Sequence, residues 1–110
     1  MGNCGFALAP CPTDQREWFA RCLEAVEDIS TDAMLAGIDW TWESFPEYLD
    51  NVARLPKGIN YASYLGHSAL RMTVMGERAL SETANEDDLR RMGAAVRDAI
   101  NTLAEEIAKE

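Results

Sequence analysis

The C-terminal quarter of the sequence carries a long apolar repeat with the spacing of an α-helix. From about Ala84 to Lys109, apolar residues recur every three or four positions, which places them on one face of a helix about 38 Å long. They are Leu89, Met92, Val96, Ala99, Ile100, Leu103 and Ile107. In a chain of 110 residues such a helix extends beyond its own core. We expect its exposed end to pair with a second copy, the alternative being that it folds back on the first helix.

Two shorter helical segments precede the middle of the chain. The first is predicted from about Asp14 to Asp28, with Thr13 as its N-cap and an apolar face at regular helical spacing. That face comprises Trp18, Phe19, Cys22, Leu23, Val26 and Ile29. Ser30 and Thr31 then predict a short helix that Gly37 ends.

Two capping boxes mark the starts of further helices. Ser44 and Glu47 have the required spacing, and Pro46 between them falls in the first turn, where its missing N–H costs little. Thr83 and Glu86 have the same spacing and predict the start of the long C-terminal helix. Trp40 and Trp42, just before the first box, are expected in the core.

The segment Ile59–Leu65 is the one convincing strand, because it is rich in β-branched and aromatic residues. His67 follows it and a glycine, a position where α/β folds place reactive side chains, although a capping histidine fits as well. A second possible strand end, near residue 4, places Cys4 between two glycines. Its thiol is either accessible or a small buried apolar group. We expect a mostly α-helical single domain over residues 1–110, with at most one or two short strands.

Composition excludes several classes of function. The net charge of −9 argues against nucleic acid or an anionic membrane as a partner. No apolar stretch is long enough to span a membrane and no signal-peptide pattern is present, so a cytoplasmic protein with reduced thiols is predicted. A single histidine cannot supply a multi-histidine metal site unless several copies assemble.

Two strand-end motifs are more specific together than apart. Residues 2–6 read Gly-Asn-Cys-Gly-Phe and are followed by Ala9-Pro10, and residues 66–71 read Gly-His-Ser-Ala-Leu-Arg. Together with the segments at 39–49 and 87–92, they resemble the D-aminoacylase (N-acyl-D-amino-acid deacylase) branch of the amidohydrolases. The resemblance covers about Gly2 to Ile100, an internal part of a much longer barrel enzyme.

The resemblance implies a zinc site that is incomplete in this sequence. In that family a metal-dependent (β/α) barrel hydrolyses N-acylated D-amino acids, and zinc activates the attacking water. The family's cysteine and histidine ligands match Cys4 and His67, whereas its other ligands and its catalytic Asp match nothing here. A catalytic zinc needs about three protein ligands, so the resemblance implies a fragment that is not catalytically competent alone.

Two other functions remain open at this stage. The chain could be one part of a split zinc amidohydrolase, with further copies or a complementing chain completing the site. It could instead be a small acidic helical module that binds a partner or a small-molecule ligand through its Trp-rich segment and long helix. A fragment derived from an α/β barrel must also cover its bare strand edges, which again predicts a helix-rich homo-oligomer.

Overall fold

A computed structural model describes the backbone of residues 7–108, and the side chains of that range apart from 106 and 107. Within it lie five α-helices and no strand: α1 Arg16–Glu27, α2 Thr31–Gly37, α3 Phe45–Arg54, α4 His67–Met75 and α5 Glu86–Ile107. Two 3-10 turns, Thr13–Gln15 and Gly76–Leu80, precede α1 and follow α4. The expected mostly α-helical fold is confirmed. None of the helices described is long and apolar enough to cross a membrane.

The main hydrophobic core forms where four helices meet the segment before α1. Its buried members are Ala9, Cys11, Phe19, Trp40, Trp42, Phe45, Leu49, Ala69, Met72 and Ala99. Trp40 and Trp42 are therefore core residues, as the sequence predicted. Their ring centroids lie 5.8 Å apart, and Tyr48 packs edge-on against Trp42 at 5.2 Å.

Three hydrogen bonds hold the segment 8–11 to this core. The Trp42 indole Nε1 donates to the Leu8 carbonyl at 2.8 Å. The Thr73 hydroxyl of α4 donates to the Pro10 carbonyl at 2.9 Å, and the Cys11 amide donates to the Glu43 carbonyl at 2.7 Å. Because these partners lie far apart in the sequence, the three bonds connect the segment to α4 and to the start of α3.

The start of α3 is the capping box that the sequence predicted. The Ser44 hydroxyl accepts from the Glu47 amide at 3.3 Å, and the Glu47 carboxylate accepts from the Ser44 amide at 2.9 Å. Pro46 lies in the first turn. The prediction succeeded because every group involved lies within four consecutive residues.

The start of α5 differs from the prediction by two residues. The reciprocal bonds join Asn85 and Asp88 instead of Thr83 and Glu86. The Asp88 amide donates to Asn85 Oδ1 at 2.9 Å, and the Asn85 amide donates to Asp88 Oδ2 at 3.1 Å. Both pairs have capping-box spacing, and the Asn85 pair additionally gains a guanidinium from Arg78. Local spacing alone could not choose between them.

Helix α1 corrects two details of the sequence prediction. Thr13 is not its N-cap, because a 3-10 turn intervenes and Gln15 takes that position without a side-chain bond. The apolar face is buried only at its start, where Phe19 packs into the core. Val26 and Ile29 at the other end are each 50 % exposed, because only the short α2 packs beside them.

The strand prediction for Ile59–Leu65 was wrong. Residues 60–66 have no regular secondary structure, although burial alternates over 61–65 as in a strand, with Tyr61, Ser63 and Leu65 half-buried and the two residues between them exposed. A strand also needs a ladder of backbone hydrogen bonds to a neighbouring strand, and the described part of the chain contains none. The possible strand at the N-terminus falls mainly outside the described residues.

The apolar stripe of α5 divides into a buried and an exposed part. Met92 and Ala99 are buried, the first against α4 and the second in the main core. Leu89 and Ile100, in contrast, are 59 % and 58 % exposed. The helix packs on α4 and α3, and its pairing with a second copy stays a prediction.

Candidate functional site

His67 is the first residue of α4 and its side chain is exposed. The preceding Gly66 is extended, with φ −69° and ψ 127°, and its carbonyl accepts from the Leu70 amide at 3.0 Å to close the first turn. The residue expected to follow a strand therefore opens a helix. Its imidazole lies at the surface, where a metal ion or a substrate can reach it.

Cys4, the other residue that the resemblance assigns to a zinc site, lies outside the described residues. Further along that segment, the Leu8 carbonyl accepts from Trp42 and the Pro10 carbonyl accepts from Thr73 of α4. Thr73 lies on the same helix as His67. The pairing of Cys4 with His67 stays a prediction.

The two remaining cysteines are Cys11, whose side chain is buried, and Cys22, whose side chain is half-buried. Cys11 is fully buried, and burial raises the pKa of its thiol from 9.0 to about 12, an effect that Arg16 opposes only partly. Burial also raises the pKa of the Cys22 thiol. A metal ligand must be reachable, so the fully buried Cys11 does not suit that role.

The described residues do not by themselves fit a catalytic zinc. Among them, no three side chains of His, Cys, Asp or Glu converge to hold a metal ion. His67 is one donor, whereas a catalytic zinc is held by about three protein ligands. A zinc site built on His67 therefore requires donors other than those described.

The sequence did not predict that the carboxylate of Asp88 is buried. The Asp88 side chain is only 3 % exposed and forms an ion pair with Arg78 at 2.8 Å. The Asn85 amide and this guanidinium hold the pKa of Asp88 below its ordinary value. Each of its oxygens accepts a hydrogen bond, Oδ1 from Arg78 and Oδ2 from the Asn85 amide, so this carboxylate helps to hold the start of α5. The spacing Asn-x-x-Asp was the available signal.

A second carboxylate, Glu43, joins the beginnings of α1 and α3. Its Oε1 accepts from the Thr13 amide at 3.0 Å and from the Thr13 hydroxyl. These two bonds, helped by Arg16 nearby, lower the pKa of Glu43. Thr13 thus takes part in a long-range contact in place of the local N-cap that the sequence indicated.

The clearest concave site is a groove of about 420 Å³ between α3 and α5. Its apolar lining comprises Pro10, Phe45, Pro46, Leu65 and Ala95. Its polar lining comprises Ser44, Asp98, Asn101, Thr102 and Glu105. Sequence reasoning missed this site, because its walls come from four separate segments that only the folded chain brings together.

Comparison with known proteins gives similarity to much longer chains. The protein is 33 % identical over 105 residues to a D-aminoacylase of Alcaligenes xylosoxydans xylosoxydans, an alignment that covers 96 % of this chain. It is 31 % identical over 106 residues to uncharacterized proteins of Mycobacterium tuberculosis and Mycobacterium bovis, covering 91 % of this chain. In each case the chain spans only 17 % of the relative's length.

The other two comparisons found nothing. No protein-family model matches the chain, and no solved structure matches it. The similarity therefore rests on sequence alone, and it is partial and distant. It extends over nearly all of this chain and relates it to part of a much longer D-aminoacylase.

Proposed function

We propose that this chain corresponds to an internal part of a zinc-dependent N-acyl-D-amino-acid amidohydrolase and does not catalyse hydrolysis alone. The observation that carries the proposal is the similarity to a D-aminoacylase along 96 % of the chain. A chance match to a short motif would not extend over five helices and the loops between them. The two strand-end motifs at 2–6 and 66–71 lie within the part of the chain that resembles that family.

In this proposal Cys4 and His67 each contribute one ligand to the zinc. The exposure of the His67 imidazole supports its part, because a ligand must be reachable from the site it shares with other segments. The full burial of Cys11 argues against it as a ligand, and Cys4 is the cysteine that the resemblance assigns. Bound zinc would activate a water for attack on the amide carbonyl.

Lack of activity in the isolated chain follows from the number of donors. The sequence contains a single histidine, and the family's remaining ligands and its catalytic Asp match no residue in it. Two ligands without a general base leave zinc weakly held and water unactivated. Alternatively, a complementing chain completes the zinc site and forms an active split enzyme. Cys4 and His67 would be the ligands from this chain in that case as well.

Zinc binding by the purified chain tests the ligand assignment. We expect weak binding in competition with a chromogenic chelator, reduced in both Cys4→Ala and His67→Ala. Cys22→Ala, which removes a half-buried thiol, is the matched control and should bind zinc like the parent. Binding that neither Cys4→Ala nor His67→Ala reduces would overturn the ligand assignment.

Hydrolysis tests competence separately. With zinc present, the chain should not hydrolyse the D-enantiomer of an N-acetyl amino acid faster than His67→Ala does. Turnover of the D-enantiomer that His67→Ala abolishes would overturn the claim of inactivity, while leaving the family relationship intact. Turnover appearing only after a second polypeptide is added would favour the split enzyme.

A further inference from the structure

We infer that the groove between α3 and α5 binds a small organic cation: a primary amine attached to an apolar body. His67 of the proposed zinc site is not among the described residues that line this groove. Its volume of about 420 Å³ lies within the range of small-molecule pockets, which is about 300–1,000 Å³. The charges and hydrogen bonds of its walls determine which ligand the groove suits.

The floor of the groove provides the apolar contact. The half-buried Pro46 and Leu65 are its accessible apolar members. Phe45 and Pro10 also line the groove but are buried. Phe45 is also part of the main core, so this surface is held in place by the fold. A rigid apolar floor favours a ligand with a hydrocarbon or aromatic body of matching size.

The side of the groove that α5 forms determines the sign of the charge that a ligand should carry. Asp98 and Glu105 lie seven positions apart on this helix and both border the groove, and no Lys, Arg or His is among the described residues that line it. Neither carboxylate forms an ion pair with another residue in the described part of the chain. Their charges therefore remain available to a bound cation, in a protein whose net charge is already −9.

The start of α3 does not offset this preference, although helix N-termini generally attract anions. The Ser44 and Glu47 amides are already engaged in the capping box, and Pro46 has no N–H to donate. The Glu43 amide also donates to the Glu47 carboxylate, at 2.9 Å. The Glu43, Ser44 and Glu47 amides are thus unavailable to an anion, and the carboxylates of Asp98 and Glu105 favour a cation in the groove.

The N-acyl amino acids of the proposed enzyme carry a carboxylate, so they have the wrong charge for this groove. An ammonium group placed beside Asp98 or Glu105 can also donate to the Asn101 side-chain carbonyl. The Thr102 hydroxyl already donates to the Asp98 carbonyl at 3.0 Å, which leaves it an acceptor for a further N–H.

A titration followed by ¹H–¹⁵N NMR tests the inference with three probes of one shape. They are 2-phenylethylammonium, 2-phenylethanol and 3-phenylpropanoate. We expect the ammonium probe to shift the amide signals of Ser44, Asn101 and Thr102 and to bind most tightly of the three. Equal binding of the neutral or the anionic probe, or no shift at these amides with any probe, would overturn the inference.

Charge-removing variants locate the interaction. Asp98→Asn and Glu105→Gln should each weaken the ammonium probe about two- to fivefold, as expected for exposed ion pairs. Asp50→Asn, on the exposed face of α3, changes the net charge equally and should have no effect. If Asp50→Asn weakens binding as much as Asp98→Asn does, the attraction is general and the groove is not the site.

Discussion

Two neighbouring regions of similar composition behave in opposite ways. Residues 40–49 bury Trp40, Trp42, Phe45 and Leu49 in the main core. Residues 55–65 are also rich in large apolar side chains, yet Leu55, Ile59 and Tyr64 are 54 %, 78 % and 66 % exposed. Trp42 and Leu55 lie only thirteen positions apart in the sequence. Hydrophobicity alone therefore does not decide which region is buried.

The difference lies in how each region satisfies its backbone. Residues 40–49 lead into a helix with a complete capping box, so the polar groups are bonded locally and the side chains can pack. Residues 55–65 have the composition of a strand, and a strand depends on a partner for its hydrogen bonds.

The largest expected effect is the truncation of a buried ring in the first region. Phe45→Ala should lower the free energy of unfolding by about 3–5 kcal/mol, because it removes a ring from a packed core and leaves a cavity. Tyr64→Ala in the second region should change it by less than about 0.5 kcal/mol. Urea denaturation measures both. Equal losses would contradict the contrast between the regions.

Removal of the α3 cap should have an intermediate effect. Ser44→Ala deletes the oxygen that accepts from the Glu47 amide and should cost about 1 kcal/mol in the free energy of unfolding. Ser81→Ala, at an exposed position outside the α-helices, is the control and should be neutral. A neutral Ser44→Ala would mean that tertiary packing alone holds the start of α3.

The start of α5 can be assigned by a pair of substitutions. Asn85→Ala should cost about 1 kcal/mol, and Thr83→Ala should cost almost nothing, because Asn85 and not Thr83 accepts from the helix. Thermal denaturation followed by circular dichroism distinguishes them. The reverse order would restore the capping box that the sequence first indicated.

Acid should weaken the α5 cap in a defined pH range. The folded pKa of Asp88 is lowered below 3.8, so the ionised carboxylate stabilises the fold above that value. This contribution is lost as the pH falls through the lowered pKa. The melting temperature should therefore fall less steeply with acidification in Asp88→Asn than in the parent chain. Parallel pH profiles would argue against an ionised Asp88 cap.

The sequence predicted the helices better than it predicted their contacts. Ser44 and Glu47 were identified because the signal and its partner lie in one turn. Thr83 and Glu86 were chosen in error because Asn85 and Asp88 have the same spacing, and only Arg78 from another segment decides between them. Ile59–Leu65 does not form a strand, because the described part of the chain contains no neighbouring strand. The groove was not predicted, because the segments that line it are distant in sequence. His67 was singled out by its position after Gly66 and a predicted strand, and then by the family resemblance, whereas its place at the start of a helix came from the structure.

We propose that this chain corresponds to an internal part of an amidohydrolase. In this proposal it contributes Cys4 and His67 to a zinc site that it cannot complete alone. The most direct measurement is the rate at which the chain hydrolyses an N-acetyl-D-amino acid with zinc present, compared with the His67→Ala variant under the same conditions. The account predicts equal rates, both at the level of the uncatalysed reaction. A parent rate well above that of His67→Ala would contradict it.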